Sequence, residues 1–340
     1  IFGQTHWGYQ FLSEKYSGEI DWDISNIAIT STDIETTVEF GFPDYFDPKE
    51  AITLISLQDY VSKKIKVYGL GPFTPTKNTA HLDVDYEKFD DEKELLKSFI
   101  AWWQVNCPDI LTGWNTMGFD IPYIIARMER IFGEEEGDAM KKALSPFKLV
   151  RKTEKTFNNK KILTYDIQGV SHLDYLNVYK KFTQANRESY KLDHIALVEL
   201  GRQKLENPYD TFREFYEKDW NLFVEYNIID TELIDALEAE LGLIELCITM
   251  AYDAKMNFED VYSPVKTWDC LIYNDLIRQN IIIDQNVDSV PRSIEGAYVQ
   301  APIPGPYKWV ESFDATSLYP SIIMQYNMSP ETIIDGTAYD

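Results

Sequence analysis

The sequence is poor in cysteine, in histidine and in positive charge, and each shortage removes a class of function. Its 340 residues hold three cysteines, Cys107, Cys247 and Cys270, far apart and without paired or metal-type spacing. That excludes a disulfide scaffold and fits a reducing compartment, with the cytosol as the default. The four histidines, His6, His81, His172 and His194, form no HxxxH or HxxE pattern, so neither a zinc hydrolase nor a histidine general base is expected. Nowhere do eighteen apolar residues run uninterrupted, and residues 1–10 lack a basic start followed by an apolar stretch; no membrane span or export signal is read. Internal repeats and low-complexity tracts are absent as well.

Thirty-two Lys and Arg stand against 56 Asp and Glu, a formal net charge of −24. Such a balance argues against a nucleic-acid partner, because phosphates are usually met by Lys and Arg. The average hides a reversal. Lys141, Lys142, Lys148, Arg151, Lys152, Lys155, Lys160 and Lys161 face a single acid, Glu154, within residues 141–161. The segment reads either as a phosphate-facing patch or as a solvated lysine-rich loop. With 44% apolar residues the chain can bury a sizeable core, and its length fits about two domains. It opens on Ile1 rather than methionine and reads as processed or as part of something longer.

Apolar, β-rich runs at 27–34, 52–57 and 65–68, with turn residues between them, predict a strand meander. At 91–105 the spacing turns helical, with Leu95, Leu96, Phe99, Ile100 and Trp103 on one stripe behind acidic first-turn residues. A strand at 110–113 and a helix at about 121–131 follow. Residues 147–167 read as a β-hairpin around Phe157-Asn158-Asn159-Lys160, since Asn tolerates the positive φ of tight turns. Residues 173–179 fit a strand or a short helix equally, and 213–251 fit two or three helical segments. Strands followed by helix-strand-helix alternation predict an α/β class with a mixed sheet flanked by helices. Pro and Gly cluster at 291–306, marking a boundary before a strand-turn-helix unit at 309–325.

Asp33 and Glu35 lie two apart at a strand end, which puts both carboxylates on one face of the sheet. A solvent-facing strand end would explain that pair alone. Asp120 opens a helix after the strand-ending Thr112-Gly113-Trp114-Asn115, and helix capping, with Pro122 in the first turn, would suffice for it. Tyr226 and Asp230, four apart, share a helix face, and a surface pair would account for them. Together Asp33, Glu35, Asp120 and Asp230 offer four carboxylates from two strands and two helices. Hard oxygen ligands of this kind suit Mg²⁺ or Mn²⁺ rather than zinc.

Asp33-Ile34-Glu35, Gly113-Trp114-Asn115 with Phe119-Asp120-Ile121-Pro122-Tyr123, and Tyr226-Asn227-Ile228-Ile229-Asp230 resemble the three exonuclease motifs of the family B DNA polymerases, of the type found in T4-like bacteriophages. Lys266-Thr267-Trp268-Asp269, Pro302-Ile303-Pro304 and 312–322 extend the resemblance almost to the C-terminus. It implies an RNase H-like 3′-5′ exonuclease domain of the tyrosine subclass at 27–242, with its hairpin at about 147–167. Residues 1–26 and 243–285 would belong to an N-terminal domain, and 286–340 to the start of a polymerase palm.

The implied chemistry is two-metal hydrolysis of the 3′-terminal phosphodiester of single-stranded DNA, the proofreading step of a replicative polymerase. The family's roles carried onto this sequence make Asp33 the bridge between two Mg²⁺ or Mn²⁺ ions. Glu35 and Asp230 would hold the ion that activates water, Asp120 would serve the second, and Tyr226 would orient the water. Asn115 would place the terminal nucleotide, and Phe42, in Gly41-Phe42-Pro43, resembles an aromatic that stacks on frayed bases; its alternative is a hydrophobic anchor for the loop. The basic hairpin, with Arg151, Lys152, Lys155, Lys160 and Lys161, would help to separate primer from template.

At 312–322 the resemblance is to polymerase motif A. There Asp314 and the Ala315 carbonyl would bind metal, Ser317 to Tyr319 would receive the triphosphate, and Tyr319 would exclude a 2′-hydroxyl. An Asp-started turn with a core tyrosine is the plainer reading of the same residues. The implied partners are primer-template DNA, the single-stranded 3′ end and, for the whole polymerase, dNTP, a sliding clamp and other replisome proteins met through regions beyond this sequence. No membrane partner is expected, and the location is the cytoplasm, of the host cell if the chain is viral. The isolated polypeptide is not expected to polymerise DNA, because one motif A carboxylate cannot assemble a two-ion site. Two other readings are a stand-alone ribonuclease of the same fold and a non-polymerising assembly subunit, the N-terminal chain of a split polymerase.

Overall fold

A computed structural model of the chain describes residues 6–157, 160–183, 186–282, 296, 298–329 and 332. It divides into two units, Ile1–Gln285 and Asn286–Asp340.

In the first unit α1 (Trp7–Lys15) precedes the strands β1 (Ile29–Thr36), β2 (Ile52–Asp59), β3 (Ile65–Gly69) and β4 (Val84–Lys88). There follow α2 (Glu92–Val105), β5 (Ile110–Thr112), α3 (Asp120–Ala143), the hairpin strands β6 (Val150–Phe157) and β7 (Lys160–Ile167), and the short β8 (Ser171–His172). The rest is helical: α4 (Tyr175–Phe182), α5 (Leu192–Leu200), α6 (Phe212–Lys218), α7 (Trp220–Leu241), α8 (Leu243–Ala254) and α9 (Pro264–Arg278). The main sheet runs β4-β3-β2-β1-β5-β8, while β6 and β7 pair with each other. β1, β2 and β3 form the antiparallel meander; β5 and β8 join in parallel on one side and β4 on the other. The sheet is thus mixed, as the element pattern predicts.

Side chains alternate across the sheet, so one strand serves two cores. Ile34, Ile55 and Leu57 pack with Leu95, Phe99 and Trp103 of α2 and Ile124 and Met128 of α3. Leu54, Ile65 and Val67 point the other way, against Phe223, Val224 and Ile228 of α7 and Phe215 of α6. Asp33 and Glu35 alternate with Ile34 and therefore lie on the α7 face.

Local chemistry sets the helix limits. The Asp91 carboxylate accepts from the N–H groups of Lys93 and Glu94 at 2.8 and 3.1 Å, capping α2. Gly201 and Gly242, both in the left-handed region, end α5 and α7. α3 continues well past the predicted 131 to Ala143, with a break at Gly133, where φ is 78°. Leu173 follows β8, and residues 175–182 form the short-helix alternative, whose start Asp174 caps through the Leu176 N–H at 3.0 Å.

In the second unit α10 (Leu318–Gln325) is the helix expected at 309–325, but no strand precedes it among the described residues. A strand needs a neighbour for its N–H and C=O groups, and residues 298–329 supply none to 309–315.

Candidate active site

The acids converge on the α7 face of β1. One ligand oxygen from each of Asp33, Glu35 and Asp230 lies within 4.8 Å of the others. Asp120 reaches the same strand from α3: its Oδ1 accepts the N–H of Ile34 at 3.0 Å. β5 pairs with β1 only as far as Ser31, so beyond that point the strand edge is open to a side chain. Asp120 is therefore the first helical residue turned back onto β1, and the capping role open to it is not realised, since Phe119 occupies the cap position. One strand and two helices supply the four carboxylates, rather than two strands and two helices.

The turn into α3 depends on a glycine. Gly113 has φ 138°, and a Cβ there would meet the Thr32 carbonyl oxygen at 2.4 Å. Any side chain would push Trp114 and Asn115 away from β1. Asp174, fully buried, fixes the same turn by accepting from the N–H groups of Asn115 and Met117 at 3.1 and 2.8 Å.

Burying like charges together has a strong electrostatic result. Burial, and then the charges of Asp120, Asp230 and Glu35, raise Asp33 well above the ordinary carboxylate range. Burial followed by the Asp230 charge pushes Glu35 up to about 8. Asp120 rises to about 7 through burial, opposed by the Ile34 N–H. Asp230 rises to about 6 through burial, opposed by the ammonium of Lys204. Burial and the Asp230 charge lift the Tyr226 phenol to about 12, so it stays neutral and able to donate.

Two side chains at this centre carry no role in the sequence reading, although Asn227 lies within the Tyr226–Asp230 motif. Lys204 forms an ion pair with Asp230 Oδ2, donates to the Tyr226 hydroxyl at 3.1 Å and lies 4.6 Å from the centre of that ring. Burial would lower its pKa, but the neighbouring carboxylate outweighs it and raises the value. Asn227 is buried and donates through Nδ2 to Asp33 Oδ2 at 2.7 Å. Lys204 sits in coil between α5 and α6, where no periodicity marks it. Asn227 follows Tyr226 directly inside a quoted motif, and that position is the signal the sequence offers.

Asp33, Glu35 and Asp230 line an open cavity of about 1050 Å³ together with Tyr226, Lys204, Asn115 and Phe42; Asp120 stands behind them on the Ile34 peptide. Phe42 is 89% exposed, so it is no buried loop anchor, and its ring centre lies 6.3 Å from that of Phe119. Asn115 is exposed and left-handed, with φ 64°.

The centre fits a divalent cation on two counts besides its oxygen donors. The three oxygens are close enough to share an ion, and the buried Asp230 Oδ1 has no hydrogen-bond partner. An acceptor left bare at that depth is costly unless a cation meets it.

Residues 9–195 match the family described as "DNA polymerase family B, exonuclease domain", more than half of the chain. The chain belongs to the family B DNA polymerases. Residues 262–339 match "DNA polymerase family B" in addition. The DNA-directed DNA polymerase of Escherichia phage RB69 is 37% identical over 97% of this chain, and that of Enterobacteria phage T4 is 36% identical over 97%. DNA polymerase II of Escherichia coli is 25% identical over 80%. The chain spans 38% of the length of each phage polymerase. The family's exonuclease domain has the RNase H-like fold and is metal-dependent, which accords with the mixed sheet and its acidic centre.

Arg151 and Lys152 are exposed on β6, and Lys152 pairs with Glu154 at 3.2 Å. The side chains of Lys155, Lys160 and Lys161, like the turn residues Asn158 and Asn159, lie outside the described residues. Part of the basic surplus is neutralised: Lys141 meets Glu129 and Asp138 at 2.7 and 2.8 Å, and Lys142 meets Asp138 at 2.6 Å. In the second unit Asp314, Ala315, Ser317, Leu318 and Tyr319 are all exposed, and Ser317 begins α10 with φ 51°. Among the described residues no helix is long and apolar enough to cross a membrane.

Proposed function

We propose that this chain is the 3′-5′ proofreading exonuclease region of a replicative DNA polymerase, with the start of the palm after it. The observation that carries this reading is the convergence of acids from three distant segments on β1, with Asp33, Glu35 and Asp230 lining a cavity of about 1050 Å³ that has an exposed aromatic at its wall. A cavity of that size admits a nucleotide, but only one whose base is unpaired can lower its phosphodiester to the floor.

Asp33, Glu35, Asp120 and Asp230 would hold two Mg²⁺ or Mn²⁺ ions, which when bound supply a water nucleophile and neutralise charge on the phosphate. Asn227 fixes the Asp33 carboxylate. Tyr226 keeps its proton and orients water by hydrogen bond. Lys204 holds Asp230 ionised, and with an ion in place its ammonium is free to face the phosphate. Phe42 stacks on the terminal base and Asn115 positions the nucleotide. Arg151, Lys152, Lys155, Lys160 and Lys161 of the hairpin meet backbone phosphates.

In the second unit Asp314 and Ala315 belong to the polymerising metal site, while Ser317, Leu318 and Tyr319 receive dNTP. On this reading 1–26 and 243–285 are parts of the N-terminal domain, 27–242 is the nuclease and 286–340 begins the palm. The parent protein works on primer-template DNA in the cytoplasm, of the host cell for a phage enzyme, and meets a sliding clamp and other replisome proteins.

The test compares matched single-stranded DNA and RNA oligonucleotides labelled at the 5′ end, with Mg²⁺, for the chain and for Asp33→Ala. Stepwise shortening of DNA that Asp33→Ala abolishes supports the proposal. Preference for RNA would make the chain a ribonuclease, and no hydrolysis of either would overturn the nuclease reading.

A further inference from the structure

Beside the acids, one carboxylate is spent on backbone. The pairing of β1 with β2 slips between Glu35 and Thr36, where Thr53 of β2 is the extra residue, and such a bulge disrupts the ladder just where β1 ends. The segment that follows runs to Phe42. Glu50, 2% exposed, grips this segment with both oxygens: Oε2 accepts from Thr37 Oγ1 at 2.5 Å and from the Glu39 N–H at 2.8 Å, and Oε1 accepts from the Phe40 N–H at 2.5 Å. Burial pushes the Glu50 carboxyl up, yet these three donors outweigh burial and hold it below its ordinary value. The carbonyl oxygen of the same residue accepts from the Tyr123 hydroxyl at 2.8 Å. Tyr123 stacks on Phe119 with ring centres 5.4 Å apart, and Phe119 approaches Phe42 at 6.3 Å. The segment is thus tied at its root by Glu50 and touched at its tip by the helix that carries Asp120.

The geometry points to Glu50 as the positioning residue that sets Phe42 over the nucleotide cavity, so that the aromatic and the Asp120 end of α3 move as one piece. This rests on the exonuclease reading, in which Phe42 meets the terminal base. Glutamine cannot replace Glu50. Both oxygens accept from donors, and an amide would turn its own N–H groups against one of them.

The experiment uses a single-stranded oligonucleotide with 2-aminopurine at its 3′ end. Binding is followed by fluorescence with Ca²⁺ in place of Mg²⁺, and hydrolysis is followed separately with Mg²⁺. The wild-type chain quenches the probe by stacking. Glu50→Gln and Phe42→Ala both lose the quench and raise KM about tenfold, the order expected when a base loses an aromatic partner, with a smaller change in kcat. The double variant is no worse than Phe42→Ala, because Glu50 acts through Phe42.

Glu50→Gln with wild-type quench and KM, or a double variant whose losses multiply, overturns the inference while leaving the nuclease reading intact. A wild-type chain that hydrolyses no DNA end overturns the reading beneath it. Should Glu50→Gln fail to fold, Thr37→Val removes one donor of the three and must raise KM in the same direction; an unchanged KM for that variant contradicts the inference.

Discussion

Asp33 and Asp314 each stand in a family motif, yet their surroundings differ completely. Asp33 lies in a strand whose two faces feed two cores, with Glu35, Asp230 and Asn227 around it and Asp120 on the next peptide. Asp314 is exposed in coil before an exposed helix. The chemistry proposed for Asp33 comes from what the sheet and α7 build around it, whereas the motif around Asp314 is so far only a local pattern. A carboxylate becomes a candidate ligand when packing forces others beside it and removes water.

The largest effect that could break this comparison is catalytic. Asp33→Ala or Asp230→Ala is expected to lower single-stranded DNA hydrolysis by about three orders of magnitude, about 4 kcal/mol of transition-state stabilisation. Single-turnover rates check it, with circular dichroism to establish folding. A loss of less than tenfold would place Asp33 nearer to Asp314 in character.

Next comes Lys204, the cation already among the acids. Lys204→Met leaves Asp230 without its partner and is expected to destabilise the metal-free protein by about 3 kcal/mol, as when one member of a buried pair is removed. Mn²⁺ should restore most of that loss, because an ion supplies the missing positive charge. Thermal unfolding with and without Mn²⁺ measures both. Asn227→Ala removes the hydrogen bond that holds Asp33 Oδ2: the Kd for Mn²⁺, read by electron paramagnetic resonance, should rise about tenfold.

The pH dependence of stability probes the same cluster. The folded-state values of Glu35 at about 8, Asp120 at about 7 and Asp230 at about 6 all lie above the unfolded values, which are about 4. Between those limits the folded chain binds more protons than the unfolded one, so these groups destabilise it progressively as pH rises from about 4 to about 8. Metal-free melting temperature should therefore fall from pH 5.5 to 8. Mg²⁺ should stabilise more at pH 8 than at pH 5.5. A metal-free melting temperature that rises over this range would contradict the buried cluster.

Much of this was legible in the residues. The meander and α2 follow from apolar spacing, the hairpin from its paired Asn, and α10 from the unit placed after the Pro and Gly cluster. The edge strand β4 was not, because Val84–Lys88 alternates two apolar with three charged residues and is only half-buried. α9 was passed over for the opposite reason: Val265, Trp268 and Ile272 are exposed, so its apolar pattern does not mark a single buried stripe. The strand expected before α10 failed because propensity cannot replace a pairing partner. Each acid had a plain structural explanation when taken singly; as a set they suited a divalent ion, and family resemblance gave each its role. Lys204 and Glu50 act through contacts made by coil residues and backbone groups, for which spacing gives no signal.

The central claim is that Asp33, Glu35, Asp120 and Asp230 cage divalent ions. Crystals grown with Mn²⁺ and a single-stranded DNA end, measured for anomalous scattering, test it directly. The account predicts two peaks among these four carboxylates, with Lys204 turned away from Asp230. No peak there, with Lys204 still paired to Asp230 at saturating Mn²⁺, would contradict it.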